Sequence, residues 1–311
     1  MKPVMKRKPI GEKMPWFGYS ILSAALFVGL YIGVRWLTER GFAPKQILLF
    51  MIAFALLGFL AATIPSLGRV LGSEKFMNFL AAGIFAGIFS SIGHWADFEA
   101  IKRAPNPGFS TSIRNSSILP ITLISVVLFQ SQFHLLKLGG VFLILAGIIA
   151  LVIQRKPSSH EEGIRPRAQA RSWVPLSFIA LAGYTLTVLG MKKATQLGFS
   201  PAEICLIIYL VNFLFFTFVC RKDMRSYFRE KTKLRFFLPV VLSCAFFAFA
   251  VNLLNVKGIE LAPNPGYHEA IRNTNVLFLT FLAVPLFHAS MDKQKVLGVI
   301  GTVAGILILV L

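Results

Sequence analysis

The stretch "APNPGFSTSIRNSS" runs from Ala104 to Ser117, and "APNPGYHEAIRNTN" runs from Ala262 to Asn275; from Ala104 to Asn115 and in the matching segment, eight of twelve positions are identical. The offset is 262 − 104 = 158, and it also aligns "KLGGVFLILAGIIALVI" from Lys137 with "KVLGVIGTVAGILILVL" from Lys295, where eight of seventeen residues match. Earlier in the chain, "GFAP" at Gly41 to Pro44 meets "GFSP" at Gly198 to Pro201, an offset of 157. One residue has been gained between these two motifs. The chain therefore reads as one unit written twice.

Beyond the repeat, 56% of the 311 residues are hydrophobic and only 14% are charged, more apolar surface than a water-soluble domain buries around one core. A membrane span needs about 20 mostly apolar residues. Ten such runs are expected: Trp16 to Leu37, Gln46 to Ile64, Phe76 to Ile101, Pro107 to Phe129 and Leu135 to Ile153, then Trp173 to Thr195, Ala202 to Cys220, Phe236 to Ile259, Pro265 to Phe287 and Val296 to Leu311. Backbone groups in lipid must pair internally, and the runs lack the alternation of barrel strands, so the expected fold is an all-α integral membrane protein. The division is a basic tail at 1–15, a first five-helix repeat at 16–153, a polar linker at 154–172 and a second repeat at 173–311. The basic tail ahead of the first span begins as a secretory signal does, but that span is long and has a counterpart at Trp173, so it is expected to stay.

Five is odd, so the second unit enters the bilayer upside down relative to the first. Inverted repeats of this kind build secondary transporters, with a substrate site near the midplane between the halves. The formal charge of +19 sits in short loops between spans and fits interfacial anchoring, so the lipid bilayer and not nucleic acid is the expected partner. Cys205, Cys220 and Cys244 lie in or at the end of spans and cannot all pair, which makes them small buried hydrophobes. No Walker loop, metal-ligand cluster, nucleophile elbow or coupled carboxylate pair occurs in the sequence, so no cofactor, metal or enzymatic activity is expected.

The span count, the duplication, the small-residue-rich "GGVFLILAGIIALV" and "LGVIGTVAGILILV", the polar turn before the fourth and ninth spans and Pro120 inside the fourth resemble the EamA-like ten-span branch of the drug/metabolite transporter superfamily. The resemblance covers nearly the whole chain. It implies a five-plus-five inverted repeat, residence in the cell (inner) membrane and both termini in the cytoplasm. Lys and Arg number 11 on the N-terminal side and 19 on the other, a bias that by itself favours the opposite orientation.

In each copy, proline removes backbone donors and Asn and Gly favour a turn, so "PNPG" is a hairpin between helices. Arg114 and Arg272 each lie seven residues beyond the second proline, roughly 10 Å down a helix. Inverted halves bring them from opposite faces to one central region. An intramembrane arginine costs at least about 2.5 to 3.5 kcal/mol and should face a cavity or a partner.

Asp97 mirrors Arg114 across its turn. The equivalent position in the second half is Asn255, and there Glu269, three residues before Arg272, restores an acid. Two readings stand. In one, Asp97 with Arg114 and Glu269 with Arg272 are fixed ion pairs. In the other, the arginines bind an anionic group, aided by Asn115, Asn273, Asn255, Thr274 and Asn275. Balanced charges point to a zwitterion such as an amino acid, or to a polar metabolite moved with a proton or by exchange. Asp97 is then the expected proton-coupling group, with His94 as a relay. The rival function is a membrane-embedded enzyme acting on lipid head groups through His94 and Asp97.

Overall fold

The computed structural model describes residues 14–104, 107–152, 172–222, 231–287 and 293–311. Among these residues all regular structure is helical: α1 Trp16–Glu39, α2 Pro44–Thr63, the short α3 Leu67–Leu71, α4 Phe76–Arg103, α5 Pro107–Asn115, α6 Ile118–Phe129, α7 Leu135–Val152, α8 Trp173–Gln196, α9 Pro201–Cys220, α10 Lys231–Leu261, α11 Pro265–Arg272, α12 Asn275–Phe287 and α13 Lys293–Val310. Most of the polar linker lies outside the described residues, as does nearly all of the basic tail.

Among the described residues, eight helical stretches are long and apolar enough to cross a membrane, and a ninth apolar helix, Leu135–Leu151, is shorter. This is the composition of an integral membrane protein. The ten runs expected from the sequence are thus not all present as membrane-length helices. The run at Pro265 to Phe287 is divided into α11 and α12, neither long enough alone. The run at Pro107 to Phe129 is also divided, into α5 and α6.

The two "GF[AS]P" motifs fold alike because each solves the same problem. A helix must stop and another must start at once. Gly41 and Gly198 take φ of +83° and +92°, the left-handed conformation that only glycine adopts without steric cost. The proline three residues on opens the next helix, α2 or α9, where a missing N–H costs nothing.

Helices of the first half pack on helices of the second: α1 on α10, α4 on α8, α2 on α9, and α7 on α13. Small residues set the distances, as expected where lipid gives no hydrophobic drive between helices. At the α4–α8 crossing, a methyl group on Gly183 would stand 2.7 Å from Gly93 Cα. At α7–α13, one on Gly147 would stand 2.7 Å from Gly298 O. The pairing is uneven at one point. α8 packs along α10, whereas the equivalent helices of the first half, α1 and α4, barely touch.

Candidate functional site

The site forms where the two repeated stretches interrupt their helices. After Asn115, the amide of Ser117 donates to Arg114 O at 3.0 Å and that of Leu119 to Ser116 O at 3.1 Å. After Asn273, the amide of Thr274 donates to Ile271 O at 3.1 Å and that of Leu277 to Thr274 O at 2.8 Å. Both breaks are single turns of tighter i→i+3 bonding, a feature that often marks a functional hinge when it falls inside a helix. The hydroxyls at equivalent positions 116 and 274 reinforce them: Ser116 donates to Ser112 O at 3.0 Å and Thr274 to Ile271 O at 2.7 Å. Such back-bonding bends helices. Both breaks fall on polar runs, Arg114 to Ser117 and Arg272 to Asn275, which the sequence shows as polar residues inside a span and not as an interruption of the helix.

Each arginine sits at the end of its half-helix, with a carboxylate beside it. Arg114 Nη1 donates to Asp97 Oδ2 on α4 at 2.9 Å, while its Nε and Nη2 donate to Asn115 Oδ1 at 3.2 and 3.0 Å. Arg272 Nε donates to Glu269 Oε2 at 2.9 Å, and Nη2 donates to the same oxygen. The guanidinium of Arg114 lies 5.8 Å from the Tyr184 ring centre and that of Arg272 lies 5.4 Å from Phe27. The 157 offset makes Phe27 and Tyr184 equivalent, so each arginine leans on an aromatic of the other half. Both ion pairs are incomplete: Asp97 Oδ1, Glu269 Oε1 and Asn115 Nδ2 are buried without hydrogen-bond partners.

Between the two clusters lies a cavity of about 250 Å³, lined by Asp97, Arg114, Asn115, Glu269 and Arg272, and also by His94, Asn255, Asn273 and Asn275. From this polar floor it runs past Leu30 to Val34, Pro44 and Ile101. These residues mark the end of the bundle where α1 gives way to α2. The wall supplied by α2 is apolar throughout, whereas its counterpart α9 contributes Tyr209 and Asn212. Asn212 is held in place by Ser91, which donates to its Oδ1 at 2.7 Å, and it donates in turn to Ser90 Oγ at 3.2 Å.

The opposite end is tied shut across the halves. Ser66 donates to Glu203 Oε1 at 2.6 Å, and Arg69 pairs with the same carboxylate. The same carboxylate also closes a capping box with Ser200 at the start of α9. Asn264, in the second "PNPG" turn, is fully buried and donates to Thr122 O at 3.1 Å and Gln132 O at 3.3 Å. That turn is docked between elements instead of lying at an interface.

Of the residues singled out from the sequence, all but Thr274 line the cavity; Thr274 is 2% exposed and spends its hydroxyl on the break itself. His94 and Asp97 are near neighbours on α4 but serve different partners: His94 Nδ1 is 2.8 Å from the Tyr184 hydroxyl, while Asp97 holds Arg114. Asn255 is engaged by His268, whose Nε2 lies 2.9 Å from its Oδ1; His268 Nδ1 lies 2.7 Å from Ser20 Oγ. The sequence reading missed Phe27, Tyr184, Ser20 and His268. The offsets could have found them: position 268 corresponds to 110 and position 20 to 177, and Ser177 donates to Ser110 at 2.9 Å, so the same contact is made in both halves.

No protein-family model matches the sequence, and no curated protein matches it. Among solved structures, one described only as "Crystal structure of protein" aligns with a TM-score of 0.62 over 95% of this chain and 98% of that one, at 17% identity. At that identity the likeness is one of fold.

Proposed function

We propose that this chain is a secondary active transporter that moves a small polar metabolite across the cell (inner) membrane by alternating access, an EamA-like member of the drug/metabolite transporter superfamily. On this reading the two halves are inverted repeats of five spans each, the fourth and ninth spans being the broken pairs α5–α6 and α11–α12. The observation that carries it is the cavity itself. It lies between the repeats at the ends of their half-helices, is faced by both arginine–carboxylate pairs, and is lined toward one end of the bundle by Val34, Pro44 and Ile101. Discontinuous helices around a midplane site, reached from one side at a time, are the working parts of such transporters.

The charges on the cavity floor balance, two arginines against Asp97 and Glu269. A zwitterion such as an amino acid, or an organic anion taken up with a proton or by exchange, can enter without leaving a net buried charge. Asp97 is the coupling group in this reading. It reaches Arg114 from a different element, α4 against α5, so movement between them frees its carboxylate. Glu269 shares α11 with Arg272 and keeps that neighbour through the cycle. The competing enzymatic reading needs His94 and Asp97 to act as one base pair, yet each is bonded elsewhere.

The test is a screen of labelled metabolites in proteoliposomes containing the purified chain. Saturable uptake that is lost in Arg114→Ala and Arg272→Ala supports transport. Turnover of lipid head groups in detergent, with no vesicle uptake of any compound, overturns it.

A further inference from the structure

Lys192 is an unusual residue for its position. It lies near the end of α8 and is only 8% exposed, with Nζ donating to Ile259 O at 2.8 Å and to Glu260 O at 3.2 Å. These carbonyls belong to the last turn of α10, where four carbonyls lack intrahelical partners and the helix dipole is negative. One ammonium thus fastens α8 to the end of α10, on the side of the bundle that is closed. In the first half, the 157 offset places Arg35 opposite Lys192, and the 158 offset places Ile101 and Lys102 opposite Ile259 and Glu260. There the arrangement differs. Arg35 is turned outward, with its side chain 56% exposed and its Nε donating to Glu39 at 2.8 Å. The helices it would join, α1 and α4, barely touch, and Val34 and Ile101 line the mouth of the cavity.

We infer that Lys192 and Arg35 are reciprocal closing residues: Lys192 holds one end of the cavity shut by binding the last carbonyls of α10, and in the opposite state Arg35 leaves Glu39 and binds those of α4. This rests on the transport reading and adds to it the residues that set which end is open. Each cation lies on the first helix of its repeat and closes on the third, so a rocking of one half against the other makes one contact as it breaks the other. Glu39 is a resting partner of Arg35. It keeps the cation in place on the surface while the mouth is open, and an exposed pair of this kind is weak enough to break readily.

The experiment needs no known substrate. Cys205, Cys220 and Cys244 are replaced by Ala, Ser90 on the cavity wall is replaced by Cys, and labelling by a membrane-impermeant maleimide is timed in right-side-out and inside-out vesicles. The parent is expected to label much faster from one face. Lys192→Met, which keeps length and loses the donor, is expected to raise labelling from the slow face at least about tenfold, and Lys192→Arg to label as the parent does. Arg35→Met is expected to lower slow-face labelling about tenfold, because it removes the contact that stabilises the other state. One-sided access that neither Met variant changes overturns the closing pair and leaves the transport reading standing. Equal access from both faces in the parent overturns both. If Lys192→Met does not fold, the Arg35→Met arm decides alone: unchanged slow-face labelling overturns the inference.

Discussion

At the scale of single residues, the two arginines are neither purely structural nor purely available to a ligand. Their side chains are 19% exposed, and the acids beside them are 10% and 3% exposed, so each pair is buried yet borders the cavity. Removing one partner of such a pair strands a charge, which costs about 3–5 kcal/mol. Arg114→Gln is therefore expected to lower the unfolding temperature in detergent markedly, and Arg114→Gln with Asp97→Asn to recover most of the loss. Uptake in proteoliposomes is expected to stay absent in both. A double variant that transports normally would reduce Arg114 to a partner of Asp97. Asp97→Asn alone is expected to lose accumulation driven by a pH gradient while keeping substrate exchange when no gradient is imposed. Full accumulation in that variant would remove Asp97 as the coupling group.

At the scale of elements, the half-helices are placed by close backbone packing on one side and by turns on the other. Gly266, the second residue of α11, shows how tight the fit is, because a methyl group there would stand 2.7 Å from Thr122 Cα and closer still to its hydroxyl oxygen. Gly139 in α7 has nothing within 4 Å of such a methyl. Gly266→Ala is expected to destabilise by at least about 1–3 kcal/mol through overpacking, whereas Gly139→Ala is expected to stabilise α7 by about 0.5–1 kcal/mol. Thermal unfolding of both variants, in the same detergent, checks the contrast. Equal effects would mean that α11 is not seated on α6 as described.

At the scale of the whole molecule, the repeat predicts topology. Both termini should lie on one side of the membrane and the segment from Ser158 to Arg171 on the other, as fusions of a compartment-sensitive reporter at each position would show. Termini on opposite sides would mean an odd number of crossings and no inverted pair. The packing predicts a second property. All three cysteines are buried, so in intact vesicles they should resist an impermeant maleimide and react only after unfolding. Fast reaction of any one would place a wall of the bundle in water.

Read alone, the amino-acid order establishes a helical membrane protein, shows that it is written twice, and marks which charged residues sit where hydrocarbon is expected. Those conclusions follow from composition and from a fixed offset, and neither depends on how helices pack. It also set the turns at Gly41 and Gly198, since only glycine takes that backbone conformation freely and proline suits the helix start that follows. The remainder comes from how the helices pack. The breaks after Asn115 and Asn273 fall on the polar runs Arg114 to Ser117 and Arg272 to Asn275, but polarity alone does not say that the helix tightens to i→i+3 bonding there. Which aromatic lies against which arginine, and that His94 goes to Tyr184 instead of Asp97, depend on contacts between residues 70 positions apart or more. The uneven closure, with α8 held to α10 and α1 standing off α4, cannot be read from two nearly equivalent repeats. Equivalent sequences allow either half to be the closed one, and only the packing of the assembled bundle selects between them.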